Sequence, residues 1–292
     1  MTREELVAGA SDAIQHGSKS FRAASRLFDR ETRERAWLLY AWCRHCDDVC
    51  DGQQLGFGAG PAGSVRDLRE KTRRAAARKE IGELPFDALR QVLAERPIPL
   101  RFLEDHLEGF TLDEGGWRPR TEEDLVRYCY HVAGAVGCMM AIVMGVDPDE
   151  TETLERAADL GIAFQLSNIA RDLREDFAAG RCYVPTEWLD EFGVSAGNLF
   201  TLENKAALLA IVDRLVDNVA IYEDSARKGV HRLPFRSRFA VLTALRIYGA
   251  IGRRVGSLGA SAWDRRVVVG KAEKLAMLVP SFAEACTARR RA

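Results

Sequence analysis

Two short rows of acids hold the residues in this sequence best suited to chemistry. In Arg44 to Asp51 (RHCDDVCD), Asp47 and Asp51 stand four residues apart. A helix would project both carboxylates from one face, with Arg44 a turn earlier. In Asn168 to Asp176 (NIARDLRED), Asn168, Asp172 and Asp176 form an i, i+4, i+8 row. Like charges at this spacing destabilise a helix by roughly 0.2–0.5 kcal/mol per pair. Both rows accept that cost beside apolar flanks, residues 37–43 and 157–169, that are too greasy for ordinary surface. A solvated helix face accounts for one such row, but two rows meeting at the mouth of a core need cations. Oxygen-rich, thiol-poor donors favour Mg²⁺, which takes one or two carboxylates and fills its remaining positions with water and substrate phosphate. Mn²⁺ is the alternative. Such an ion would bridge the acids to a diphosphate. Arg44 and Arg171 either neutralise the neighbouring acids or clamp diphosphate oxygens, a task suited to guanidinium geometry.

Other motifs compete less well. Zinc at the first row would draw on His45, Cys43, Cys46 and Cys50, but no second thiol pair has the spacing to close a tetrahedron. Residues 58–63 match G-x-G-x-x-G, yet they follow a helical pattern rather than a strand and contain a proline, so a dinucleotide fingerprint fails. A loop beside the first acidic row is the better reading. Ala133, Gly137, Ala141 and Gly145 recur every four residues within Val132 to Val146, the longest apolar run. Small residues in register suit either close helix packing or the wall of a tunnel for a slender chain. Near the far end, Arg265, Arg266, Lys271 and Lys274 suit surface and site equally well.

The elements that must position these residues are helices. Periodic stretches cover residues 33–51, 154–177, 205–228, 239–258 and 267–286, and sustained alternation is missing, so almost no sheet is expected. Ser64 before Asp67, Thr121 before Asp124, and the run Asp147-Pro148-Asp149-Glu150 read as helix starts. Breaks at 52–63, 113–119 and 177–185 are too short to be interdomain linkers, so residues 1–292 are expected to form one domain.

Composition agrees. Of 292 residues, 47% are hydrophobic and 29% charged, the balance of a globular chain. Lys+Arg of 42 against Asp+Glu of 43 gives a formal charge of -1, so no net field attracts nucleic acid. Seven irregularly spaced cysteines suit reduced thiols in a cytoplasm. Met1 to Ala13 lacks the apolar core of a signal peptide. The fifteen residues of Val132 to Val146 fall short of the ~20 that span a bilayer. A lipid-like substrate would therefore arrive by peripheral membrane contact.

With the motifs in place, a resemblance becomes visible. Tyr40 to Asp51 (YAWCRHCDDVCD), Tyr128 to Gly137 (YCYHVAGAVG), and Phe164 to Asp176 (FQLSNIARDLRED) followed by GRCYVP to Pro185 resemble the signatures of the squalene/phytoene synthase family. The likeness runs from Ser18 to Phe21 (SKSF) as far as Ser261 to Arg266 (SAWDRR), nearly the whole chain, and within the family towards its bacterial phytoene-forming members. It implies an all-α isoprenoid synthase bundle around a central cavity. Asp47, Asp51, Asp172 and Asp176 would hold Mg²⁺ with help from Asn168. Arg44, Arg171 and Tyr248 would contact diphosphate, with Ser18, Ser20 and Phe21 at the same end, and Arg266 and Lys274 as further basic contacts. Tyr128, Val132, Ala133, Val136, Leu160, Phe164 and Gln165 would face the reacting chains. One departure is Gly17, where relatives can carry histidine.

The activity implied is head-to-head condensation of two geranylgeranyl diphosphates through a cyclopropyl diphosphate to phytoene, with two diphosphates lost. No nicotinamide cofactor is expected. The same machinery would serve a dehydrosqualene or squalene-precursor synthase using farnesyl diphosphate. A catalytically idle helical assembly protein, the reading from another class, would be expected to have lost some of the four aspartates, and all four are present.

Overall fold

The computed structural model describes residues 1–17, 19–52 and 63–287; the side chains of Gly17, Lys19, Ser20 and Asp51 lie outside the description. Among the described residues there are helices and no strand. Helices α1 (Arg3–Gly17), α2 (Lys19–Ser25) and α3 (Arg30–Asp51) lead into α4 (Val65–Ala76), α5 (Leu84–Glu95) and α6 (Leu100–Glu114). Then come α7 (Glu122–Cys129), a π-turn (Tyr130–Gly134), α8 (Ala135–Val143) and the long α9 (Thr151–Ala178). Helices α10 (Thr186–Glu191), α11 (Lys205–Gly229), α12 (Phe235–Leu258) and α13 (Lys271–Thr287) complete the chain.

Local chemistry explains several starts. Asp29 accepts from the Thr32 amide at 2.9 Å to cap α3. Ser64 caps α4 through the Asp67 amide, and Thr121 with Asp124 forms a full capping box on α7. The expected start at Asp147 moves: Asp147 accepts from the Asp149 amide at 2.9 Å, making a local turn, and α9 begins at Thr151. The short aspartate side chain satisfied its own loop before the helix could use it.

Periodicity then decides which faces are buried. Leu6, Ala10 and Ile14 of α1 are fully buried at every fourth position. Leu103 and Leu107 of α6 behave likewise, each side chain contributing about 1.5–3 kcal/mol by leaving water. One apolar cluster gathers residues of α1, α3, α5, α6 and α8; a second gathers α7, α9, α11 and α12. A network at the rim ties α1, α3 and α5: Glu95 takes Arg3 Nε at 2.7 Å and Arg35 Nε at 2.8 Å.

Between the clusters, α9 packs against α8, α11, α12 and the π-turn. Glycines permit this approach. A Cβ on Gly161 would lie 2.2 Å from the Ala133 carbonyl oxygen, and one on Gly137 would lie 2.2 Å from that of Ala157. Gly145 of the small-residue stripe falls beyond α8, at a φ of +103°, so the stripe ends at Ala141. Helical winding is continuous from Glu122 to Val143, long and apolar enough to cross a membrane by length and composition; half of its apolar window is buried inside the protein. It is therefore longer than the apolar run alone suggested, because α7 and the π-turn extend it.

Candidate active site

Helices α3 and α9 bring the two acidic rows to opposite walls of one cavity of about 700 Å³. Asp47 and Arg44 come from α3, and Asn168, Arg171, Asp172 and Asp176 from α9. Gln165, Tyr128, Val132, Val136 and Arg266 complete much of the lining. A second cavity, about 340 Å³ and almost wholly apolar, adjoins it. Tyr40, Cys43, Val132 and Val136 line both, so the polar mouth passes directly into the apolar space. The deeper cavity takes Phe21, Ala133, Leu160, Phe164 and Tyr248 among its walls. The small residues Ala133, Gly137 and Ala141 therefore do both jobs weighed from sequence, packing α8 on α9 and walling the cavity.

Asp47, Asp172 and Asp176 at the mouth are each paired with an arginine. Arg44 Nη1 lies 2.8 Å from Asp47 Oδ2, and its Nη2 lies 2.7 Å from Asp48 Oδ1. Arg171 Nε donates to Asp172 Oδ1 at 2.8 Å, and its Nη2 donates to Oδ2 of the same carboxylate. Arg266 reaches over from the segment after α12, placing Nη2 3.0 Å from Asp172 Oδ2 and Nη1 2.6 Å from Glu175. Trp263 fixes that segment by donating its indole N–H to the Ala170 carbonyl at 3.2 Å. Burial pushes the Asp176 carboxyl up to about 6, with the negative Asp172 adding to the effect and Arg181, 3.3 Å away, opposing it. The mouth thus holds more negative charge than its desolvated walls tolerate comfortably.

The fit to a hard divalent cation follows from this donor set. Among the described residues no three His, Cys, Asp or Glu side chains come together as a preformed metal cage. Two facing rows of oxygen donors suit Mg²⁺ instead, which keeps open positions for water and phosphate oxygens. Thiols are poor rivals: Cys46 is buried and Cys43 partly so, and desolvation raises the pKa of both, so thiolate, the form that binds zinc, is disfavoured.

Asp113, Arg181, Tyr183 and His106, all on the lining of the mouth, were not singled out from sequence. Tyr128 donates to Asp113 at 2.9 Å, and Tyr183 donates to the same carboxylate at 3.2 Å. The two rings stack 4.9 Å apart, with Trp117 stacked on Tyr128 at 5.5 Å. Arg181 and Tyr183 belong to the GRCYVP segment, so their motif was visible even though their roles were not. His106 also lines the mouth; burial between Trp42 and Phe110 lowers its pKa to about 4, leaving it neutral. Tyr248 stacks on Phe164 at 4.1 Å within the apolar cavity, rather than among the acids. Lys274, on α13, lines neither cavity. Ser18 and the side chains of Ser20 and Asp51 lie outside the described residues.

Comparison with known proteins places the whole arrangement. The family model described as squalene/phytoene synthase matches residues 14–273. A 15-cis-phytoene synthase of Pantoea ananas is 44% identical, the match covering 100% of this chain and 96% of that protein. A phytoene synthase of Pseudescherichia vulneris is 45% identical over 96% of this chain and 92% of its own length. Among solved structures, a dehydrosqualene synthase in complex with ligand superposes with a TM-score of 0.86 at 26% identity, covering 96% of each chain. A squalene synthase from Alicyclobacillus acidocaldarius, at 23% identity and a TM-score of 0.77 over 88% of this chain and 95% of that one, shares the fold.

Proposed function

The chain belongs to the squalene/phytoene synthase family, and from that membership we propose that it is a prenyltransferase of carotenoid biosynthesis that makes phytoene. Its substrates are two molecules of geranylgeranyl diphosphate, joined head to head through a cyclopropyl diphosphate. The observation that carries this reading is the direct passage from an acid-lined mouth into an apolar cavity. One end of that space suits a diphosphate and the other a long hydrocarbon.

Asp47, Asp172 and Asp176, with Asn168 and the aspartate at position 51, would hold Mg²⁺ at the mouth. Bound there, Mg²⁺ would stabilise the departing diphosphate as the allylic carbon–oxygen bond breaks. Arg44, Arg171 and Arg266 are paired with the acids in this structure. With Mg²⁺ held by the acids, these guanidiniums would be free to grip diphosphate oxygens. Phe164, Tyr248, Leu160 and Ala133 would exclude water from the carbocation that remains, and the aromatic faces of Phe164 and Tyr248 favour positive charge. Tyr128, its hydroxyl fixed on Asp113, lines the polar mouth and would face the reacting chains from there. Phe21 would serve as a wall of the apolar cavity, and Ser18, Ser20 and Lys274 are kept as further contacts at the diphosphate end on the family resemblance alone.

We further infer that residues 1–292 act as one domain, that the protein works in the cytoplasm, and that no nicotinamide takes part. Peripheral membrane contact would deliver substrate and remove product. A fifteen-carbon reading, dehydrosqualene formation, is favoured by one observation alone, the 0.86 TM-score to a dehydrosqualene synthase. Incubation of purified protein with Mg²⁺ and either geranylgeranyl or farnesyl diphosphate, without nicotinamide, decides the matter. Phytoene from the twenty-carbon substrate is expected. If neither substrate yields free diphosphate, the enzyme reading fails.

A further inference from the structure

Helix α13 is amphipathic in an unusual sense, because an apolar stripe faces outward. Leu275, Val279 and Phe282 are 65%, 73% and 49% exposed and follow one another at helical spacing. The two acids of α13 point elsewhere: Glu273 is paired with Arg254, and Glu284 with Arg227 and Arg246. Phe282 meets Phe235, itself 43% exposed, with ring centroids 5.6 Å apart, so the stripe continues onto the start of α12. Exposed cations flank these residues along the chain: Lys271 one turn before Leu275, Arg232 and Arg236 on either side of Phe235, and Lys228 at the end of α11.

A contiguous apolar surface with a basic rim and no carboxylate on its stripe matches the interface between anionic headgroups and acyl chains. A protein partner would also accept the apolar stripe, but the one-sided charge selects a negative, extended surface. The location adds a second argument. Val230 and Leu233, walls of the apolar cavity, immediately precede Phe235, and Phe239 packs between that core and Phe282. The surface therefore lies next to the cavity's floor rather than its polar mouth. We propose that this α12–α13 face docks on an anionic lipid bilayer, with Phe235, Leu275, Val279 and Phe282 inserted among acyl chains and Lys271, Lys228, Arg232 and Arg236 against headgroups. Its use in passing a hydrocarbon product to the bilayer rests on the phytoene reading above; the docking does not.

The test is co-sedimentation of the full chain with vesicles of phosphatidylglycerol or of phosphatidylcholine alone. The wild type should partition onto the anionic vesicles, and the double variant Leu275→Glu/Val279→Glu should lose at least roughly tenfold in partitioning. Turnover in detergent and the thermal midpoint should be unchanged in that variant. Should it misfold, Arg232→Glu/Arg236→Glu, which leaves the apolar stripe intact, is expected to show a similar loss of anionic selectivity. Equal partitioning of wild type and variants overturns the proposal, as does a wild type that binds neither vesicle. So does a wild-type dimer that Leu275→Glu/Val279→Glu converts to monomer without any vesicle binding, since the face would then belong to a second copy. Absence of turnover in detergent by the wild type would instead remove the reaction reading and leave the vesicle result standing.

Discussion

Asp47 and Asp172 face one cavity from different helices, and each is held by an arginine of its own helix, Arg44 at 2.8 Å and Arg171 through a two-point grip. The acids are thus pre-paired with the cations that diphosphate would later recruit. Such an arrangement keeps a desolvated, charge-dense mouth stable before substrate arrives.

Asp172→Asn removes a charge without changing shape. Turnover should fall by roughly 10²–10³-fold or more, the scale of losing a group that stabilises developing charge. Helical content should stay unchanged by circular dichroism. Near-normal release of diphosphate would refute the metal assignment.

Arg171→Lys keeps the charge and loses the planar fork. An increase in KM of roughly tenfold is expected, with a smaller change in kcat, because a point charge cannot reproduce two parallel hydrogen bonds. Steady-state kinetics with geranylgeranyl diphosphate checks this.

Gly161→Ala pushes a methyl group against the Ala133 carbonyl, where 2.2 Å is available. Parting α9 from the π-turn should cost about 1–3 kcal/mol, seen as a lowered denaturation midpoint. An unchanged midpoint would mean that the helix contact yields without strain.

Ala133→Phe would fill part of the apolar cavity from the wall that Ala133 provides. The ratio of kcat/KM values should shift towards farnesyl over geranylgeranyl diphosphate, since a shorter chain needs less depth. Competition between the two substrates, followed by product analysis, gives the direction.

Stability should decline in acid in two stages. His106 has its pKa lowered from 6.5 to about 4 by burial. The unfolded chain therefore takes up its proton first, and stability falls as pH drops from about 6.5 towards 4. Glu95, held by Arg3, Gln91 and Arg35, has a pKa lowered from 4.5 to about 2 despite its burial. Its contribution is full above pH 4.5 and is lost as pH falls towards 2. Thermal midpoints across this range should show both stages, and His106→Gln should flatten the first.

What the sequence revealed was local and periodic. Four-residue spacing announced the rows at Asp47 and Asp172, and Thr121 with Asp124 announced a real cap. The Tyr128–Asp113–Tyr183 network was hidden because it joins three distant segments, and no spacing records such a meeting. Asp147 misled for a physical reason: an aspartate before a proline serves a turn as readily as a helix. Gly145 fitted the stripe by number, yet it lies beyond the end of α8.

The π-turn at Tyr130–Gly134 gives the chain a fixed phase. Its wider winding accommodates one residue more than a regular helix would. The extra residue is taken up inside that one turn, so α7 before it and α8 after it keep their phase, with Tyr128 on Asp113 and Val136 on the cavity wall. Wound as regular helix, the same residue would turn one flank about 100° past the other. The bulge thus lets the segment carry one residue more without disturbing what stands on either side of it.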